Sequence, residues 1–114
     1  MAGGMERRTY QRSEEFQFEA RVSRDNAQWV DITVHDLSSE GLKFETDEQF
    51  EVGNAVWFDM KVNKLFVEFK FKAKGEIRRK DKNVYGASFK DLSSDIKIRI
   101  DEVMHNFGPE NILY

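Results

Sequence analysis

The sequence predicts an all-β domain, an antiparallel barrel or sandwich, followed by one C-terminal α-helix. Apolar and polar residues alternate with a period of two through six or seven short segments, which is typical of strands with one buried face. Turn-forming residues separate these segments, and the chain has only 1 Pro. Towards the C-terminus the apolar period changes from that of a strand to that of a helix.

The alternation gives the strands in order. It predicts strands over 16–22, 29–35, 42–45, 55–62, 65–77 and 84–89. In the first, Phe18 and Val22 face one way while Glu19 and Arg21 face the other, and 65–77 gives the longest strand signal. Asx- and Gly-containing segments at 24–26, 51–54 and 81–83 predict the turns.

The helix has start and stop signals. Its apolar residues recur at helical spacing: Ile96, Ile100, Val103, Met104 and Phe107. Ser93 or Ser94 can cap the N-terminus, Asp95 suits the positive end of the helix dipole, and the Gly108-Pro109 pair ends the pattern.

Composition excludes several classes of protein. The chain has 114 residues, enough for one domain, and 39% are hydrophobic and 34% charged, as in soluble globular proteins. Cys is 0, which excludes disulfides, cysteine-based zinc sites and thiol catalysis. Because no apolar run approaches ~20 residues and residues 1–10 lack the apolar centre of a secretion signal, we expect a cytoplasmic protein without membrane insertion.

Charge is distributed unevenly along the chain. The net charge of −3 combines +2 for residues 1–12, −9 for 13–60, +6 for 61–82 and −2 for 83–114. A long nucleic acid needs a broad basic face, so the acidic total disfavours that partner. A small anion needs only a local basic cluster, and residues 1–12 offer one.

Catalytic and metal-binding patterns are missing from the sequence. His35 and His105 are the 2 histidines, and neither has a second histidine at metal-ligand spacing. The chain contains no P-loop or dinucleotide-binding glycine pattern, and no carboxylate pair stands out as an acid and base. We therefore expect a protein that is not an enzyme and uses no metal or cofactor.

Two short motifs suit an anionic ligand. The first is R-x-x-x-R at Arg8 and Arg12, and the second is D-x-S-x-x-G at Asp36, Ser38 and Gly41. Arginine binds phosphate oxygens or the O6/N7 edge of guanine with two parallel hydrogen bonds. A carboxylate accepts from guanine N1–H and N2–H₂, a hydroxyl donates to phosphate, and a glycine permits a turn that brings backbone N–H groups close to an anion. Alone, the first motif is also typical of a solvated basic tail and the second of an ordinary turn between strands.

With both motifs in this order, the sequence resembles the PilZ family, the bacterial receptors for cyclic di-GMP. The resemblance extends from about Glu6 to Phe107. Residues 73–78 are similar to the family's G-x-V strand and residues 85–89 to its G-x-x-F strand, and residues 91–93 lead into the closing helix as in the family. The binding motifs carry no substitution.

The resemblance implies a six-stranded antiparallel β-barrel with one C-terminal helix and a flexible N-terminal arm. Arg8 and Arg12 would hold phosphates and guanine edges, and the D-x-S-x-x-G residues would hold the other side of the ligand. Arg7, the residue before the first motif arginine, favours two ligand molecules per chain. Ligand binding would order residues 5–13 over the barrel and signal to a protein of motility, secretion or exopolysaccharide machinery.

These inferences divide the chain into a tag-like or disordered start (1–5), a PilZ-like domain (6–107) and a C-terminal tail (108–114).

Two alternative functions remain open. One is a barrel that binds single-stranded nucleic acid through the basic segment 61–82, with Trp57 or Phe66 as stacking platforms. The other is a PilZ-like protein-interaction module that binds no nucleotide.

Overall fold

The structure, a computed structural model, describes residues 17–64 and 66–106. It contains six strands, β1 (Gln17–Ser23), β2 (Val30–Leu37), β3 (Gly41–Glu45), β4 (Ala55–Lys64), β5 (Val67–Asp81) and β6 (Val84–Lys90). Helix α1 (Ser94–Asp101) follows and continues as a π-helical segment (Glu102–Asn106). The predicted strands and the helix are confirmed where the structure describes them.

The strands form a closed barrel, not a sandwich. Their order around the barrel is β1-β2-β3-β6-β5-β4, and every neighbouring pair is antiparallel. Strand β1 pairs with β4 along its whole length, from Gln17↔Asn63 to Ser23↔Trp57. It pairs with β2 only over Ala20–Val22, so the β1–β2 seam is the shortest of the barrel. Because the sheet closes in this way, none of the six described strands is an exposed edge.

Antiparallel pairing fixes which connections share an end of the barrel. One end, here called the turn end, holds the start of β1, the β2–β3 turn and the β4–β5 connection. The opposite end, the loop end, holds residues 24–29, residues 46–54 and the β5–β6 turn.

Aromatic side chains fill the interior. Seven rings contact one another in sequence from the turn end to the loop end: Phe69, Phe71, Phe89, Phe58, Phe44, Tyr85 and Phe50. Their centroids lie 5.2–6.1 Å apart, the range of stacked and edge-to-face pairs. Inward-facing aliphatic residues such as Val22, Met60 and Ile77 complete the core.

Phe50 closes the loop end. Its side chain is buried, its backbone N–H donates to the Tyr85 hydroxyl at 3.2 Å, and that hydroxyl donates to the Glu48 carbonyl at 3.1 Å. The Arg24 guanidinium lies 4.8 Å from the centroid of the Phe50 ring. From inside the core, the Tyr85 hydroxyl therefore hydrogen-bonds to two backbone groups of the loop 46–54, the Phe50 N–H and the Glu48 carbonyl.

Helix α1 joins the same core. Ser93 is the N-cap, its hydroxyl accepting from the Ile96 N–H at 3.2 Å, and Ile100 and Val103 are buried in the barrel's apolar cluster. The Arg99 guanidinium covers the Phe69 ring at 5.7 Å. The predicted contribution of Phe107 and the stop at Gly108-Pro109 lie outside the described residues. In the described part of the chain, no helix is long and apolar enough to cross a membrane.

Candidate ligand-binding groove

The D-x-S-x-x-G motif forms the end of β2, the β2–β3 turn and the start of β3. A bulge lies between Val34 and Asp36, so His35 is an extra residue relative to β3. Because side chains alternate along a strand, this extra residue reverses the alternation after it. Asp36 and Ser38 therefore both face outwards, and Leu37 between them is buried.

Hydrogen bonds fix the turn but leave its side chains with binding capacity. The Asp36 Oδ1 accepts from the Leu37 N–H at 3.0 Å, and the Ser38 Oγ accepts from the Glu40 N–H at 3.1 Å. Ser38 N–H donates to the Gly41 carbonyl, and Phe89 N–H of β6 donates to the Glu40 carbonyl, both at 2.9 Å. Within residues 17–64 and 66–106, no partner takes the second carboxylate oxygen of Asp36 or the proton of the Ser38 hydroxyl, so the first can accept and the second can donate.

Gly41 is required by close packing. Its φ angle does not lie in the left-handed region. Among the described glycines, only Gly53 has a φ angle in that region. A Cβ at Gly41 would instead overlap the Ala87 carbonyl oxygen and lie 3.0 Å from the Ser88 Cα. The motif glycine thus lets β3 approach β6 closely, which differs from the turn-forming role expected from the sequence.

These residues border a shallow groove on the outer surface of β2, β3, β6 and β5. Its volume is about 330 Å³, within the range of small-ligand sites. The lining comprises Asp36, Ser38, Glu40, Gly41, Leu42, Lys43, Arg78, Arg79, Gly86, Ala87 and Ser88. Three cations and two carboxylates give this lining a net positive charge, which suits an anionic ligand.

Two of these cations, Arg78 and Arg79, were missed as site residues from the sequence. A second bulge, between Ile77 and Arg79, makes Arg78 an extra residue of β5. As a result, both arginines are exposed on the outer surface while Ile77 is buried. The sequence signal was the pair of adjacent arginines in the basic segment 61–82, but only the pairing of β5 with β6 places them in the groove.

Arg7, Arg8 and Arg12 lie outside the described residues. The structure does place Gln17, the first residue of β1, at the turn end beside the D-x-S-x-x-G turn. Four residues lie between Arg12 and Gln17, and the five Cα–Cα steps at ~3.5 Å each allow a reach of about 17 Å. Two strand spacings, about 10 Å, separate β1 from β3. The chain is therefore long enough to bring these arginines to the groove.

A wider depression of about 610 Å³ lies over β1, β2 and β4. Its charged groups already neutralise one another, because Arg21 pairs with Asp59 and Lys61 with Glu19. Asp36, Ser38 and Gly41 do not line it. The depression is therefore a weaker candidate for an anion site than the groove.

The basic outer surface of β5 does not form an open stacking platform. Trp57 is half-buried, and the Lys74 ammonium covers its ring at 5.7 Å from the centroid. Lys70 pairs with Glu68 and Lys90 with Glu76, whereas Phe66 is fully exposed. Trp57 is therefore occupied, and Phe66 is the one predicted platform that is free to stack.

Histidines and acidic clusters give no sign of a metal centre in the described part of the chain. His35 is exposed, and its Nε2 lies 3.0 Å from Glu45 Oε1 on the neighbouring strand. No group of three or more histidine, aspartate or glutamate side chains among residues 17–64 and 66–106 could hold a metal ion.

The fold and the groove define a small β-barrel binding domain with a cationic surface site beside the start of its first strand. The family model of the PilZ domain matches residues 6–105, nearly the whole chain. The chain therefore belongs to the PilZ domain family. A comparison with curated proteins found no match.

Proposed function

We propose that this protein is a cytoplasmic receptor for cyclic di-GMP, bound between the groove and the arginines of residues 7–12. The observation that carries the proposal is the position of the D-x-S-x-x-G residues. They border a net positive groove at the end of the barrel where β1 begins. Membership of the PilZ family supports the choice of ligand.

The chemistry of the groove suits a guanine nucleotide. The available oxygen of Asp36 can accept from the Watson–Crick edge of guanine, and the Ser38 hydroxyl can donate to a phosphate oxygen. Arg8 and Arg12 would bind phosphates and guanine edges from the other side. Two phosphates bring two negative charges, which the +2 of residues 1–12 would balance.

Ligand binding would draw residues 5–13 onto the barrel and so create or cover a surface that a partner protein reads. Ordering a segment on binding costs ~2–5 kcal/mol. Charge-assisted hydrogen bonds contribute ~1.5–3 kcal/mol each, so two arginines can offset this cost. The proposed partner is a protein of motility, secretion or exopolysaccharide machinery.

Isothermal titration calorimetry with cyclic di-GMP tests the proposal, with GTP and linear pGpG as competing ligands. We expect the cyclic ligand to bind at micromolar concentration or below. Arg8→Ala should weaken binding by ~2 kcal/mol, about thirtyfold, and Asp36→Ala should also weaken it. A stoichiometry of two would support a role for Arg7 in holding a second ligand.

Lys72→Ala is the matched control, because Lys72 is exposed on β5, outside the groove, and its loss removes the same charge. Its affinity should equal that of the wild type. Absence of binding by the wild-type chain at low salt would refute the receptor function and leave a protein-interaction module. Binding to single-stranded RNA that depends steeply on salt and survives Arg8→Ala would favour the nucleic-acid alternative.

A further inference from the structure

Arg79 of β5 lies on the side of the groove opposite Asp36, and Ser88 lines the groove on the intervening strand β6. The pairing registers place Asp36, Lys43, Gly86 and Arg79 in one row across β2, β3, β6 and β5. Three strand spacings of ~4.8 Å put the backbones of Asp36 and Arg79 about 14 Å apart. A single phosphate ion cannot span that distance, whereas a purine between two side chains can.

The stem of the Arg79 side chain crosses the groove at Gly86, where no side chain blocks it. A Cβ at Gly86 would lie 3.5, 3.8 and 3.9 Å from the Cβ, Cγ and Cδ of Arg79, so the stem of the arginine passes over Gly86. Together with Gly41 on β3, Gly86 leaves part of the groove floor, beside Lys43, without side chains. A flat base lying on that floor would present its edge to the guanidinium of Arg79.

Among the described residues, some cations near the groove form ion pairs, whereas Arg79, like Arg78 and Lys43, forms none. Lys80 pairs with Glu51 at 3.1 Å and Lys90 with Glu76 at 3.1 Å. Within residues 17–64 and 66–106, no carboxylate lies within ion-pair distance of Arg79. Its two parallel N–H groups are therefore available to a ligand.

A second polar group lines the groove at Ser88, two residues along β6 from Gly86. Its Oγ is buried and has no hydrogen-bond partner among the described residues, although Ser88 lines the groove. Buried hydroxyl groups are nearly always hydrogen-bonded, so an unpaired one at the wall of a groove indicates a site that a ligand or water completes.

We propose that Arg79 reads the O6/N7 edge of a guanine base in this groove, with the Ser88 hydroxyl bonding to the same ligand. The inference rests on the proposed function and adds the residue that selects guanine. Arginine donates two parallel hydrogen bonds to O6 and N7 of guanine. Adenine carries an amino group in place of O6, which opposes an N–H donor, so Arg79 would disfavour adenine nucleotides.

The test is a calorimetric titration of full-length wild type, Arg79→Ala, Arg79→Lys and Ser88→Ala with cyclic di-GMP and cyclic di-AMP. We expect Arg79→Ala to lose roughly tenfold to a hundredfold in affinity for cyclic di-GMP and to prefer it less over cyclic di-AMP. Arg79→Lys should not restore the preference, because lysine lacks the planar fork. Ser88→Ala should weaken binding severalfold. Lys72→Ala is the charge-matched control and should keep both affinities.

The outcomes separate this inference from the proposed function. If the wild type binds neither cyclic dinucleotide, both the receptor function and the inference fail. If the wild type binds cyclic di-GMP and Arg79→Ala binds it equally well, only the inference fails. If Arg79→Lys restores wild-type affinity and preference, Arg79 acts as a simple charge, and the guanine-reading role is overturned. Arg79 is exposed, and thermal unfolding of each variant checks that it folds like the wild type.

Discussion

Replacing Gly41 with alanine is expected to destabilise the barrel strongly. The new methyl group would overlap the Ala87 carbonyl oxygen and crowd the Ser88 Cα at 3.0 Å. Both atoms belong to backbone held in the β3–β6 ladder, so the strands must separate. Overpacking costs ~1–3 kcal/mol, and a weakened hydrogen bond adds ~1 kcal/mol. We expect the free energy of unfolding to fall by about 3 kcal/mol, which lowers Tm by roughly 14 °C for a domain of this size.

Gly86→Ala is the matched control, since it adds the same methyl group to the strand beside Gly41. Its Cβ would meet the Arg79 Cβ at 3.5 Å, an ordinary van der Waals contact. Urea denaturation followed by circular dichroism should place this variant within ~0.5 kcal/mol of wild type. If Gly41→Ala were as stable as Gly86→Ala, close approach to β6 would not be the reason for a glycine at position 41.

Two further predictions concern the loop end of the barrel. Tyr85→Phe would remove the hydroxyl that hydrogen-bonds to both the Glu48 carbonyl and the Phe50 N–H. Urea denaturation should therefore show that the free energy of unfolding falls by ~1–3 kcal/mol. Stability equal to that of the wild type would contradict the anchoring of the loop by Tyr85. The pKa of Asp25 is lowered by hydrogen bonds from the backbone N–H groups of residues 28 and 27 and from the Ser23 hydroxyl. The ionised carboxylate therefore stabilises the fold at pH values above its unfolded-state pKa. This stabilisation is lost as the pH falls through the lower folded-state pKa. The stability of Asp25→Asn should therefore fall less steeply than that of wild type on acidification below about pH 5, and parallel curves would contradict this account.

The strands and the helix could be predicted because their pattern is local. Alternation over 55–62 and 84–89 identified β4 and β6 nearly to the residue, and the Ser93 cap with Ile96 and Ile100 identified α1. Closure into a barrel could not be read from the residues alone. A barrel and a sandwich both bury one face of each strand, and only the pairing of β1 with the distant β4 distinguishes them.

The candidate site could be predicted only in part. Asp36, Ser38 and Gly41 were identified by their spacing, but the reason that they share a surface is the bulge at His35. A single inserted residue leaves almost no signal in an alternating pattern, and the same holds for the bulge that exposes Arg79. The register between β5 and β6 determines which residues face each other across these strands. The sequence of one strand alone does not specify that register.

The pairing of β1 with β4 also bears on how the protein is made. The ribosome synthesises β1 first, yet most of its partners, from Trp57 to Asn63, emerge only after β2 and β3. The β2–β3 and β4–β5 pairs are local in sequence, whereas β1 can pair with β4, and the barrel can close, only after β4 has been synthesised. Because residues 7–12 precede β1, the arginines that we propose as ligand-binding residues would come within reach of the groove only once β1 is paired. In a nascent chain, the two halves of the proposed nucleotide site would therefore be completed together, when the barrel closes.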